Sequence, residues 1–347
     1  MTSSFFEDAS CMLNSGAITS IKFSPKGDKI GVATSVGHLF IFKESFGYSE
    51  PSIEFPPSDG PINHISWDMT DESGNYIFAV TEAGSIWRYN ISSLSVLKIY
   101  TMPDTSFLSC ESSLSNSYIA TGSTKGDLLI FKSDEIREPN SKEDKNFFIN
   151  ENSVRTVKAH SDSITGISFR KDGLQLITCS YDSLVRVWGV DLICTHSFCF
   201  RVPLLSVIFQ FSGKMFYICG SDNSFKLISL NGNTKKNNSI EMRNGFIIGC
   251  SNFSSHADGS PSVAIGLSVG DILIYTQKVT MAGEFQSVIH VQRSPFYAFD
   301  IHPSESIIAS GGGPDEMNFK LWKSPEVESH TENPEENKQD NENYFND

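Results

Sequence analysis

Short apolar runs alternate with polar turns along most of the chain. The clearest stretch begins at residues 164–169, where the residues alternate as in a half-buried strand. Residues 170–173 form a turn rich in charged residues and glycine, and residues 174–180 and 184–188 follow as two further strands. The sequence contains no apolar stripe of useful length at helical spacing. The pattern therefore predicts an all-β fold.

The same unit recurs seven times. Each copy has a short apolar segment, a turn with glycine or aspartate, and another apolar segment that ends in an aromatic residue in six of the seven copies. The closing positions lie 40 to 57 residues apart, close to the roughly 40–45 residues of a four-stranded propeller blade. The repeat therefore predicts a seven-bladed β-propeller. The closing residues are Phe42, Tyr89, Phe131, Trp188, Ile228, Tyr275 and Trp322.

The fourth copy resembles the WD-repeat family of β-propellers. His160 stands where that family has the histidine of a Gly-His pair, Asp182 matches its tight-turn aspartate, and Trp188 takes the place of the tryptophan in its closing Trp-Asp. All seven copies follow the family pattern by register, although only this one carries its polar signature well. The resemblance implies a hydrogen-bonded structural set that ties one blade together, made of His160, Thr178, Asp182 and Trp188.

A ring of sheets needs its last edge paired. WD-repeat propellers complete the final blade with a strand from the first residues of the chain. After Trp322 the sequence soon reaches Pro325 and offers no further strand. The resemblance therefore implies that about residues 5–13 supply the outer strand of the seventh blade.

Two segments depart from the repeat. Residues 133–157 carry six acidic and four basic residues and are predicted as a long polar loop between blades three and four, either a docking element or a tolerated insertion. Residues 324–347 carry eight acidic residues and one basic residue, a composition typical of a disordered tail. The predicted organisation is one propeller over residues 1–323 followed by this acidic tail.

The overall charge disfavours two classes of partner. The 347 residues have a formal net charge of −14, which argues against a broad nucleic-acid footprint or binding to an anionic membrane surface. Seven cysteines without a Cys-x-x-Cys pair indicate reduced structural thiols. The sequence shows no signal peptide and no run long enough to span a bilayer, so we expect an intracellular protein, cytoplasmic or nuclear.

The sequence lacks the local motifs of common enzymes. It contains no Gly-x-Ser-x-Gly elbow, no phosphate-binding loop and no His-Glu-x-x-His, so we predict no catalytic residues, no metal and no cofactor. One alternative is a propeller hydrolase whose active-site residues are scattered around the channel mouth. Ionisable side chains with strongly shifted pKa values in the channel would favour that alternative. Recognition of phosphorylated lipid or nucleic acid by a blade edge would need paired basic residues in a late blade, which the sequence lacks.

The loops that enter each first strand, and the hairpins between second and third strands, ring one mouth of a propeller channel. WD-repeat proteins commonly hold peptides or partner domains there. Aromatic side chains beside carboxylates suit a basic peptide. We therefore expect a non-catalytic scaffold or adaptor that binds protein or peptide partners within a larger complex. The predicted contact residues are Asp59, Asp104, Phe107, Asp162, Tyr181, Asp222, Phe296 and Tyr297; for Phe107 and Phe296 a core position at a strand start is the alternative.

Overall fold

The computed structural model describes residues 5–137, 149–231, 245–254, 261–277, 283–290 and 296–324. Within these ranges the strands form seven antiparallel sheets, numbered here as blades 1 to 7. Helical structure in the same ranges is limited to three short 3-10 segments, Glu44–Phe46, Ser133–Glu135 and Glu151–Ser153. The predicted all-β, seven-bladed fold is confirmed.

The strands follow the repeat in chain order. Blade 1 contains β2 (Ile18–Phe23), β3 (Lys29–Thr34), β4 (Leu39–Lys43) and β5 (Ile53–Phe55), and blade 2 contains β6 (Ile62–Trp67), β7 (Tyr76–Thr81), β8 (Ser85–Asn90) and β9 (Ser95–Thr101). Blade 3 contains β10 (Phe107–Ser112), β11 (Tyr118–Ser123), β12 (Asp127–Lys132) and β13 (Arg155–Lys158), and blade 4 contains β14 (Ile164–Phe169), β15 (Gln175–Ser180), β16 (Leu184–Gly189) and β17 (Cys194–Cys199). Blade 5 contains β18 (Leu204–Phe209), β19 (Met215–Gly220) and β20 (Phe225–Ser229). Blade 6 contains β21 (Ile247–Ser254), β22 (Pro261–Leu267), β23 (Asp271–Gln277) and β24 (Gly283–His290), and blade 7 contains β25 (Phe296–Ile301), β26 (Ile307–Gly312), β27 (Asn318–Lys323) and β1 (Phe6–Met12).

The first strand of each blade lies innermost. Each of these strands packs against the first strands of both neighbouring blades, and β2 packs against β25, so the ring closes around a central channel. In every blade the pairing of the first and second strands shifts register between the first and third residues of the first strand. This bulge interrupts the simple alternation of faces at the start of each inner strand.

The start of the chain completes the last blade. Strand β1 pairs antiparallel with β27, with Glu7 opposite Trp322 and Met12 opposite Asn318. On the same strand Ala9 and Cys11 pack against the core between blades 7 and 1. The predicted closure by an N-terminal strand is confirmed.

The core lies between the blades. Each apolar cluster combines side chains from neighbouring sheets, as where Phe55 of blade 1 packs edge-on against Tyr89 of blade 2. All seven closing residues of the repeat are buried. Burying such a side chain contributes about 1.5–3 kcal/mol, which explains why the repeat keeps a large apolar residue there even where the aromatic is replaced by Ile228.

The structure describes only part of the two segments that depart from the repeat. Strand β13 begins inside the segment predicted as a loop over 133–157, and residues 138–148 of that segment lie outside the described residues. The strand escaped detection because it is short and its side chains, apart from Val157, are exposed. The predicted acidic tail lies outside the described residues from 325 onward.

Candidate functional site

Strand direction defines two faces of the ring. The first strands begin at the face that we call upper, where the hairpins between second and third strands also lie. The hairpins between first and second strands lie on the opposite, lower face. The upper rim is the set of loops, hairpins and strand starts around the upper mouth of the channel. The predicted contact residues lie there in the chain, but not all of them at the surface.

A hydrogen-bonded chain runs through blade 4 from the upper rim into the core. The His160 Nδ1 lies 3.0 Å from both carboxylate oxygens of Asp182, and its Nε2 lies 2.7 Å from the Thr178 hydroxyl. The Trp188 indole N–H donates to the same hydroxyl over 3.0 Å. The structure thus brings together all four residues that the family resemblance implied. These hydrogen bonds within the blade support the structural role that the resemblance implied.

Protonation in this chain follows from burial and pairing. Burial lowers the pKa of His160, although Asp182 acts in the opposite direction. Burial raises the pKa of Asp182, but His160 and the backbone N–H groups of Ser161 and Leu184 together hold it below its ordinary value. A neutral histidine that donates from Nδ1 to an ionised carboxylate and accepts from Thr178 at Nε2 satisfies every polar group.

Asp59 takes part in a similar internal network in blade 2. Its carboxylate accepts hydrogen bonds from the Ser85 hydroxyl at 2.6 Å and from the Trp87 indole N–H at 3.1 Å. The Lys98 ammonium lies 2.8 Å from Asp59 Oδ2 and over the Trp87 ring. These partners engage the carboxylate within the blade, although Asp59 itself is exposed, and its contact role stays a prediction.

Two of the predicted contact residues, Phe107 and Phe296, need correction. Their side chains are 0% and 1% exposed because the first residue of each inner strand points between two blades. Phe107 joins the core between blades 2 and 3, and Phe296 the core between blades 6 and 7. Neither ring reaches the surface where a partner would bind, so both belong to the core alternative.

The other predicted contact residues lie at the surface of the upper rim. Tyr181 is 44% exposed and Tyr297 is 56% exposed. They stand in blades 4 and 7, nearly opposite one another in the ring. The acidic residues Asp104, Asp162 and Asp222 are exposed in the loops and hairpins between these two positions.

The structure adds apolar rim residues that the sequence reasoning missed. Phe246, at the entry to blade 6, is 67% exposed, and Val36 and Val269 are exposed in the hairpins of blades 1 and 6. A Cβ at Gly245 would lie 2.7 Å from Val269 Cγ1, so the entry loop and the hairpin of blade 6 pack closely. With Tyr297 these residues form an apolar arc over blades 6, 7 and 1. The repeated Ser-Val-Gly at residues 35–37 and 268–270 was the available sequence signal.

Charge on the upper rim is distributed unevenly. Among the described rim residues the exposed acids outnumber the exposed cations. The exposed cations are Lys125 on blade 3 and Arg201 just before blade 5. The rim therefore combines an apolar arc on one side with a mainly acidic stretch on the other. The exposed acidic residues of blades 2 to 5 are Asp59, Glu82, Asp104, Asp162 and Asp222, and Asp315 stands on blade 7.

Polar side chains of the inner strands join each blade to the next. At the second strand position the Thr165 hydroxyl donates to the Leu204 carbonyl over 2.8 Å, and the Asn63 amide donates to the Phe107 carbonyl over 2.8 Å. At the fifth position Asp300 accepts from the Phe23 N–H and from the Ser251 hydroxyl. These contacts tie the blades together around the channel, and the sequence reasoning did not identify them.

Ionisable side chains cluster on the channel wall. Burial raises the pKa of Glu111 to about 7, against the opposing effect of Lys22. Burial and the positive charge of Lys22 lower the pKa of His64 to about 3. Burial lowers the pKa of Lys22, but Asp300 and Glu111 raise it overall. The cluster is the feature that would favour a hydrolase, although the buried His64 Nδ1 has no hydrogen-bond partner among the described residues.

No group of three or more potential ligands that could hold a metal ion occurs among the described residues. No helix in the described ranges has the length and hydropathy needed to cross a membrane.

Comparison with known proteins agrees with the geometry. Residues 151–189, which include the polar chain of blade 4, match the family model described as WD40, WD domain, G-beta repeat. The chain forms a seven-bladed β-propeller, and the segment around blade 4 matches the WD-repeat family model. A search of curated proteins gave no match. A solved structure titled "Crystal Structure of Mitotic Checkpoint Complex" contains a similar chain, with 14% identity and a TM-score of 0.74 over 93% of this chain and 92% of that chain. At this identity the likeness shows the fold.

Proposed function

We propose that this propeller is a non-catalytic scaffold that binds a protein or peptide partner at its upper rim. The observation that carries the proposal is the apolar arc, because exposed apolar side chains gathered on one part of a surface mark interaction sites more often than scattered ones do. Phe246 and Tyr297 are each more than half exposed within that arc. Aromatic residues of this kind dominate the binding energy of protein interfaces.

The acidic stretch of the rim specifies the partner further. A segment with one or two large apolar side chains would cover the arc, and arginine or lysine beside them would reach Asp162 or Asp222. Charge-assisted hydrogen bonds between guanidinium and carboxylate are stronger than neutral ones. A basic, partly apolar segment is therefore the partner chemistry that this surface fits best.

Membership of a larger assembly is part of the proposal. The similar chain mentioned above was solved in a structure titled as a mitotic checkpoint complex, and propellers of this class usually act among several partners. We propose that this chain likewise serves as a subunit of a multiprotein complex inside the cell, in the cytoplasm or the nucleus.

A peptide-library selection tests the rim. Peptides enriched on the full chain should pair arginine or lysine with large apolar residues. The Tyr297→Ala and Phe246→Ala variants should each weaken the best peptide about tenfold, equivalent to about 1.4 kcal/mol, with unchanged thermal stability. Phe46→Ala, which removes an equally exposed ring from the lower face, is the matched control. Equal binding by wild type and both rim variants would contradict the proposal.

A second candidate function is hydrolysis in the channel, which the Glu111 and His64 cluster favours. A carboxyl group with a pKa of about 7 is suited to general acid or base work. The test is turnover of chromogenic carboxylate esters, phosphate esters and peptides by wild type and Glu111→Gln. Turnover that disappears in Glu111→Gln would support this candidate, and no turnover of any substrate class would count against it.

A further inference from the structure

The lower face carries a second apolar surface, on three neighbouring hairpins between first and second strands. Leu114 in blade 3 is 49% exposed, Leu174 in blade 4 is 53% exposed, and Phe211 in blade 5 is 47% exposed. Each hairpin thus presents one large apolar side chain to solvent.

Direct contacts lock the three hairpins side by side. The Asn116 amide of blade 3 donates to the Asp172 carbonyl of blade 4 over 3.1 Å. A Cβ at Gly173 would lie 2.6 Å from the Ser115 carbonyl oxygen, and one at Gly213 would lie 2.8 Å from the Arg170 side chain. The apolar side chains therefore stand on one continuous surface, which we call the lower patch: Leu114, Leu174, Phe211, Lys171 and Lys214.

The corresponding hairpins on the other side of the ring differ. Those of blades 1, 2 and 7 expose the charged side chains Lys26, Glu72 and Glu305 at their tips. Among the described hairpins between first and second strands, the exposed large apolar side chains are therefore confined to blades 3, 4 and 5. An exposed apolar surface with such a boundary indicates an interaction site.

Charge on the lower patch is positive. Arg170 is neutralised by Asp172, whose carboxylate accepts from its guanidinium. Lys171 and Lys214 are exposed, and neither has a carboxylate within ion-pair distance among the described residues. A ligand with carboxylates would supply the missing partners.

We propose that the lower patch binds an acidic segment of a partner protein that carries at least two large apolar side chains. The inference extends the scaffold function but stands on separate residues from the upper rim. The upper rim fits a basic segment and the lower patch an acidic one, so the propeller would hold two partners of opposite charge on its two faces. It would then act as a bridge rather than as a single docking platform.

The test uses two fluorescent peptides and the full chain. One peptide alternates aspartate and glutamate with leucine and phenylalanine, and the other has lysine in place of each acid. We expect the acidic peptide to bind with an affinity that falls as salt rises, and the lysine peptide not to bind the lower patch. Leu174→Ser combined with Phe211→Ser should weaken the acidic peptide at least tenfold, and Lys171→Glu combined with Lys214→Glu should do the same.

Matched variants separate this proposal from the upper-rim proposal. Leu94→Ser removes an exposed leucine from the lower face of blade 2 and should leave binding unchanged, as should Tyr297→Ala. Loss of the acidic peptide in Tyr297→Ala, or equal binding by all lower-patch variants with native circular dichroism, would overturn the inference. Much tighter binding after removal of residues 325–347 would also overturn it, since the acidic end of this chain would then be the occupant.

Discussion

Blades 4 and 5 fill the same two interior positions in opposite ways. In blade 4 the fourth residue of the second strand is Thr178 and the closing residue is Trp188, joined by a hydrogen bond. In blade 5 the corresponding residues are Ile218 and Ile228, both buried. The strand pairing is the same in both sheets. The repeat therefore requires filled volume at these positions, whereas the polar chain of blade 4 also fixes the position of its upper loop.

The largest difference in stability between a blade 4 variant and a blade 5 variant should appear when one member of the polar chain is removed. Asp182→Ala leaves the His160 ring N–H and the backbone N–H groups of Ser161 and Leu184 without their acceptor. We expect a loss of about 2–4 kcal/mol in the free energy of unfolding. Ile218→Val in blade 5 should cost only about 0.5–1.5 kcal/mol. Urea unfolding of both variants measures the difference, and equal losses would show that the polar chain adds nothing beyond packing.

The stability contributed by Glu111 in the channel should depend on pH in the opposite direction from the stability contributed by Asp182 in blade 4. The raised pKa of Glu111, about 7, contributes stability below its ordinary value of 4.5, and this contribution is lost as pH rises through 7. The lowered pKa of Asp182 contributes stability above its ordinary value, which is lost at acid pH. Between pH 5 and 8 we expect the wild type to lose on the order of 1–2 kcal/mol in the free energy of unfolding because Glu111 ionises. Glu111→Gln should not show this loss. Identical pH profiles of stability for the variant and wild type would refute this assignment.

A comparison of blade 7 with blade 4 should give an intermediate difference in stability. Its Trp322 indole donates to the Ser310 hydroxyl over 3.1 Å, at the positions of Trp188 and Thr178, but without the histidine. Thr178→Val deprives two partners of a hydrogen bond, and Ser310→Ala deprives one. We expect losses of about 2 and about 1 kcal/mol respectively, measured by thermal unfolding. A larger loss of stability for Ser310→Ala than for Thr178→Val would mean that burial of the hydroxyl matters more than the number of its hydrogen-bond partners.

The smallest effect is expected at the surface of blade 4. Tyr181 stands beside Asp182 but is exposed, so Tyr181→Ala should change stability by no more than about 0.5 kcal/mol. The same variant should weaken capture of a partner at the upper rim. A large stability loss would place Tyr181 within the polar chain rather than on the contact surface.

The sequence allowed the fold to be predicted because each blade closes with a large buried residue at a nearly constant spacing. The upper rim was harder to predict. The bulge at the start of every inner strand turns the first residue into the core and the second toward the channel. Phe107 and Phe296 therefore occupy the core position that had been the alternative, whereas Tyr297 is exposed. Apolar residues at hairpin tips, such as Val36 and Val269, were missed because an apolar residue next to a strand is indistinguishable from its continuation.

The pairing of β1 with β27 has a consequence for synthesis of the chain. The two strands lie about 300 residues apart, and ribosomes add roughly 5–20 residues per second, so β1 waits on the order of 15–60 s for its partner. During that interval six blades can assemble while the ring stays open. Chaperones that shield strand edges would therefore act on this protein mainly before its last blade has emerged.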